Sequence, residues 1–209
     1  AEGYVVATPL GERPIKGLDA PIEVFEVVGA GTVHSRLQAA AARGLTRFVG
    51  RDGELEQLRI ALERARAGHG QVVAIVGEPG VGKSRLVWEL AHSHRTADWV
   101  VLESSSVSYG KATTFLPVID LLRAYFGVED RDDPRRVREK LIGKLLALDE
   151  ALRPSVPALE AVLELPVEDA AWASVGADQR RRRVIDAVKH VLLRESQTQP
   201  LLVIFEDLH

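Results

Sequence analysis

Residues 77–84 read Gly-Glu-Pro-Gly-Val-Gly-Lys-Ser, and no other stretch of the chain narrows its fold so far. Gly77, Gly82, Lys83 and Ser84 fill every fixed position of the pattern G-x-x-x-x-G-K-[ST], with Glu78, Pro79, Gly80 and Val81 inside it. Glycine at 77, 80 and 82 frees the backbone to turn successive N–H groups inward around an anion. A helix opening at about Lys83 aims the positive end of its dipole at the same anion. Lys83 then reaches the β- and γ-phosphates of a nucleoside triphosphate, and the Ser84 hydroxyl ligates Mg²⁺. Arg85, next in the chain, is counted with the candidate contacts. The context agrees: the apolar run Val72–Val76 reads as a strand entering the loop, and a helical pattern runs from Lys83 to about His94. These residue types at this spacing point to ATP with Mg²⁺.

A second element is Leu201–Asp207, an apolar run ending in two acids. A strand that stops there sets one carboxylate beside the metal and another where it orients water. Glu206 takes the metal side and Asp207 the water side, although the order Asp then Glu is the more usual one. Lys83, Glu206 and Asp207 are the candidate catalytic residues, and Ser84 and Glu206 the candidate Mg²⁺ ligands.

Around these motifs the chain alternates strand and helix patterns. Asp52 starts a helix with Leu55, Leu58, Ala61, Leu62 and Ala65 at helical spacing, ended by Gly68 and Gly70. A buried-type strand follows at 99–103. Helices are expected at 115–126, 134–148, 157–165 and 177–196, separated by Gly127, Pro134, Pro154 and Pro166. The alternation predicts an α/β fold, a P-loop NTPase parallel sheet with flanking helices. Residues 4–8 and 22–28 differ. They are β-branched and aromatic, with turn-forming residues between them, and predict an antiparallel hairpin that needs a further sheet to join. Residues 30–47, rich in Ala, Gly and Arg, read as a linker or a short connecting helix.

Composition excludes several chemistries. The chain has no cysteine, so disulfides, thiolate nucleophiles and Cys-ligated metals are ruled out. A formal net charge of −3 gives no basic field for nucleic acid. No run approaches the ~18 apolar residues of a membrane span, and the N-terminus lacks a signal-peptide profile, so a cytoplasmic location is expected. Starting at Ala1, without methionine, and stopping just past a strand, the sequence reads as a piece of something longer.

Other features carry less. Arg180–Arg183 point around a helix axis and read as a solvated helix. His92 and His94, two residues apart, lie on different helix faces. Ser104–Ser106 leave a strand and approach phosphate or form a polar exit equally well. Trp88, Trp99 and Trp172 read as core or interface residues.

The segments FVGRDGEL (Phe48–Leu55), GEPGVGKSRL and LVIFEDLH together resemble the AAA-like ATPase domains of the STAND signalling class. More narrowly, they resemble the origin-recognition-type AAA module of large bacterial regulators, over residues 48–209. The resemblance implies that Val49 and Gly50 line the adenine pocket. It also implies sensor residues, an arginine finger and a helical domain beyond His209. Residues 1–29 resemble the C-terminal end of a class III nucleotidyl cyclase domain, through Leu10-Gly11, Ile15-Lys16-Gly17, Pro21-Ile22 and Val24–Val27. By that resemblance Lys16 contacts substrate phosphates, and the cyclase metal ligands lie upstream of Ala1. A cyclase end followed by an AAA-like ATPase resembles the soluble adenylate cyclase architecture. The partners it implies are an upstream cyclase domain, a downstream helical or repeat sensor region, and a second copy of the chain.

Three functions compete on this reading. The first is an ATP-hydrolysing switch that regulates a cyclase. The second is an ATP-binding scaffold without turnover, favoured by the Glu206-Asp207 order. The third, a DNA-handling ATPase, is opposed by the net charge.

Overall fold

The computed structural model describes residues 5–17, 20–30, 36–105 and 115–206. Their contacts divide into two units, Ala1–Glu56 with Ile75–Glu89, and Gln57–Ala74 with Leu90–His209.

In the first unit, β1 (Val5–Arg13) pairs antiparallel with β2 (Ile22–Ala30), from Val5 opposite Ala30 to Arg13 opposite Ile22. The strands run longer than residues 4–8 and 22–28. The extension passes Pro9, which has no N–H to give a ladder, and Gly11, at φ 77°. The register breaks between these two residues, and the irregularity absorbs both. Val6, Phe25, Val27 and Val28 are each more than half exposed, the surface of a hairpin that does not bury itself. Lys16 is exposed in the turn after β1. The connecting segment contains a short helix, α1 (Arg36–Ala42).

Helix α2 (Asp52–Arg66) starts at the expected residue, with Asp52 and Glu54 in its first turn and Arg64 and Arg66 in its last. That arrangement complements the helix dipole at both ends. Leu58 and Leu62 are its buried residues. The apolar run after it corrects the sequence reading: residues 69–78 form no strand. Val72 is 101% exposed and Val76 92%. A β-branched run becomes a strand only when neighbouring strands take its N–H and C=O groups, and 72–76 pairs with none of the described strands. Helix α3 (Lys83–Ala91) follows the loop and ends three residues short of His94.

The second unit is built on a parallel pair, β3 (Val100–Ser105) and β4 (Leu201–Glu206), in register from Val100 opposite Leu201 to Ser105 opposite Glu206. The chain between them forms α4 (Leu116–Phe126), α5 (Pro134–Leu148), a 3₁₀ turn at Glu150–Ser155, α6 (Val156–Val162), α7 (Ala170–Ala173) and α8 (Ala177–Thr198). Local chemistry sets the ends. Gly127, at φ 65°, closes α4 in a left-handed cap. Asp133 caps α5 by accepting from the Arg136 N–H at 2.7 Å, with Pro134 at the first turn. Helix α6 stops at Val162 rather than 165, because Glu164 takes φ 59°. Leu121, Leu122, Leu141, Leu145, Leu159 and Val191 are fully buried and form the centre of the core, which Leu102 of β3 joins. In α8, Arg180 donates to the Ala173 carbonyl and the Arg181 guanidinium lies over Phe115. Arg181–Arg183 are exposed. Trp99 and Trp172 are buried, as read.

A buried polar junction joins α4, α5 and α8. The Tyr125 hydroxyl donates to the Glu195 carboxylate, both buried. The Lys144 ammonium lies 3.9 Å from the Tyr125 ring centroid and donates to its carbonyl at 2.6 Å. Burial first, and the bond to Glu195 second, push the Tyr125 phenol far above its usual value, so it remains a donor at any working pH. Tyr125→Phe keeps the ring and strips the donor from a buried carboxylate. Urea denaturation is expected to show a loss of about 1–3 kcal/mol; an unchanged midpoint would mean water replaces the hydroxyl.

Candidate functional site

The glycines of the loop act in two ways. Gly80 and Gly82 have φ of 81° and 91°, a left-handed backbone that side-chain-bearing residues rarely adopt. Gly77 sits in tight space: a Cβ there would meet Val81 Cγ2 at 3.2 Å, so the valine would have to give by a few tenths of an ångström. Glycine thus suits the turn by backbone conformation at 80 and 82 and by tight space at 77. Helix α3 begins at Lys83, and its first helical bond runs from the Leu86 N–H to the Gly82 carbonyl at 3.0 Å. The Lys83 ammonium donates to the Gly77 and Glu78 carbonyls at 2.9 and 3.0 Å, which folds it back over the loop. Ser84, half-buried, lies in the first turn of α3. Positive backbone dipole, ammonium and hydroxyl converge at one place, a donor set suited to polyphosphate and to a hard oxygen-seeking cation.

The segment before α2 is tied to this loop. Arg51 donates to the Val81 carbonyl at 3.1 Å and pairs with Glu54 at 2.6 Å. The Glu54 carboxyl is lowered below its usual range by that hydrogen bond above all. Arg85 reaches the same segment from α3. It donates to the Thr46 carbonyl at 2.7 Å, pairs with Glu89 at 2.7 Å, and lies 5.6 Å from the Phe48 ring centroid. Between these ties Val49 is 69% exposed and Gly50 has φ 77°. Val49, Gly50, Lys83, Ser84 and Arg85 are all in the first unit, as is the loop. The sequence singled out Val49 and Gly50 within the segment Phe48–Leu55, and it did not disclose the ties that Arg51, Thr46 and Phe48 make. An arginine directly before a helix start was the available signal.

Glu206 belongs to the second unit and is the last residue of β4, opposite Ser105 in the register. Asp207 lies outside the described residues, as does Ser106 of the serine cluster. One acid was missed: Glu103 of β3 pairs with Ile204, which places it on the sheet face that Glu206 shares. Desolvation pushes the Glu103 carboxyl up, His92 opposes the shift, and the charge of Glu206 adds to it. The signal for Glu103 was its even spacing from Val101 in a strand. Among the described residues no group of three or more His, Cys, Asp or Glu side chains gathers to hold a metal. Among them, too, no helix is long and apolar enough to cross a membrane.

Residues 47–209 match the family described as AAA ATPase domain. An uncharacterized protein of Rhizobium meliloti (strain 1021) is 30% identical over 112 residues, which is 54% of this chain and 11% of that protein. The chain thus spans about a tenth of the length of the curated relative it matches. No solved structure matches.

Proposed function

The chain belongs to the AAA ATPase domain family, and from that premise we propose that it binds ATP with Mg²⁺ at residues 77–84, with Arg85 beside them, and serves as the regulatory module of a multidomain cyclase-type signalling protein. The observation that carries the binding is the loop itself: left-handed Gly80 and Gly82, Lys83 folded over the turn, and α3 opening directly behind. Gly77–Ser84 hold the phosphates in this reading, Val49 and Gly50 line the base, and Ser84 with Glu206 hold Mg²⁺. All of these metal donors are hard oxygens, as Mg²⁺ requires. Hydrolysis is assigned to Lys83, Glu206 and Asp207. The exposed apolar residues of the hairpin support its docking on a larger sheet, here that of an upstream cyclase domain, with Lys16 toward the cyclase phosphates. ATP binding and turnover would bias that neighbour between two states. The cytoplasm is the proposed location.

A second reading, an ATP-binding scaffold that does not turn ATP over, is favoured by the order Glu206-Asp207. Its mark is self-association that follows nucleotide binding and not phosphate cleavage.

Calorimetric titration of ATP and Mg²⁺ into the chain and into Lys83→Ala tests the site. The substitution is expected to weaken binding tenfold or more, about 1.4 kcal/mol. Equal binding by both would place the ligand elsewhere, and no binding by either would refute nucleotide binding by this chain.

A further inference from the structure

Residues 44–49 form neither helix nor strand, so side-chain ties fix where this stretch runs. The ties come from the phosphate loop and from the helix behind it. Arg51 fastens the far end to the Val81 carbonyl. Arg85 fastens the middle, and it does so with three faces of one group. Its Nη2 donates to the Thr46 carbonyl at 2.7 Å. Its Nε donates to Glu89 one turn along α3, also at 2.7 Å, which holds the guanidinium upright. Its Cζ lies over the Phe48 ring, 5.6 Å from the centroid. The side chain is only 19% exposed. A guanidinium presents fork and flat face together, whereas an ammonium presents neither.

Arg85 directly follows Ser84 on α3, yet its Nε and Nη2 donate to Glu89 and the Thr46 carbonyl, and its Cζ lies over Phe48. We infer that Arg85 is a positioning residue: it sets residues 46–50 at a fixed place beside the phosphate loop, so that Val49 and Gly50 form a wall for the base of the nucleotide. This rests on reading residues 77–84 as an ATP site. The wall has the surface such a role needs, since Val49 is 69% exposed and apolar, and Gly50 adds no side chain. Phosphate recognition stays with Lys83 and the loop amides. The two halves of the ligand are therefore held by different parts of the unit, and Arg85 governs only one of them.

The split supplies the test. ATP and inorganic tripolyphosphate, each with Mg²⁺, are titrated into the chain and into Arg85→Ala, Arg85→Lys and Phe48→Ala. Tripolyphosphate has the phosphates and no base. Arg85→Ala is expected to weaken ATP about tenfold, the size of one charge-assisted hydrogen bond lost. Tripolyphosphate affinity is expected to stay within about twofold, which also shows that the variant keeps its loop folded. Phe48→Ala is expected to give the same split, and Arg85→Lys to recover only part of the loss. Equal weakening of both ligands, or none of ATP, would overturn the inference while leaving the Lys83-dependent site intact. Failure of the unsubstituted chain to bind ATP would remove the site and the inference with it.

Discussion

Leu141→Ala is expected to lower the stability of the second unit by about 2–5 kcal/mol, read by urea denaturation. Leu141 is 0% exposed on α5 and belongs to the same core as Leu122, Leu145, Leu159 and Val191. Truncation there removes apolar atoms from a close-packed interior and leaves a cavity that the surrounding helices fill only in part. Domains of this kind are stable by roughly 5–15 kcal/mol, so the loss is a large share of the total. The thermal midpoint should fall by about 2–4 °C per kcal/mol in a chain of this size. Val72→Ala is the matched control. Val72 is 101% exposed, and its substitution is expected to stay within about 0.5 kcal/mol. If Val72→Ala cost as much as Leu141→Ala, residues 72–76 would be a packed strand in solution. If Leu141→Ala cost less than about 1 kcal/mol, α5 would not be holding the core together.

The contrast between Leu141 and Val72 also marks what the sequence could disclose. Helices α4, α5 and α8 were legible to within two residues, because their ends are written locally: Gly127 for a left-handed cap, Asp133-Pro134 for a start. The strands β3 and β4 were legible as short apolar runs. Val72–Val76 has the same β-branched character, but a strand is a relation between segments, and its partner is not encoded in its own residues. Helix α7 was missed for the opposite reason. Four residues capped by Asp169 are too few to show a period. The phosphate loop was legible because its glycines answer to backbone geometry at single positions, and Gly80 and Gly82 take that geometry. The ties of Arg51 and Arg85 were not. The same arginine at the start of a helix could as well pair within the helix or face solvent, and only the path of residues 44–51 decides between these.

Asp207→Asn is expected to cut ATP turnover by about 10²–10⁴-fold, the range for losing a group that manages a proton in the transition state, with ATP affinity little changed. Glu206→Gln should act differently, chiefly raising the Mg²⁺ concentration needed for half-maximal rate, because a neutral amide is a weaker ligand for a hard cation. The distinction follows from position. Glu206 ends β4 inside the ladder with β3, opposite Ser105, so its backbone is held before any ligand arrives, which suits a metal ligand. Asp207, next in the chain, is left for the water by that assignment. Steady-state turnover measured against Mg²⁺ for both variants separates the cases. Exchange of the two phenotypes would assign the water-side role to Glu206 and the metal to Asp207. Absence of turnover in the unsubstituted chain, with Lys83-dependent ATP binding preserved, would favour the scaffold reading over the hydrolytic switch.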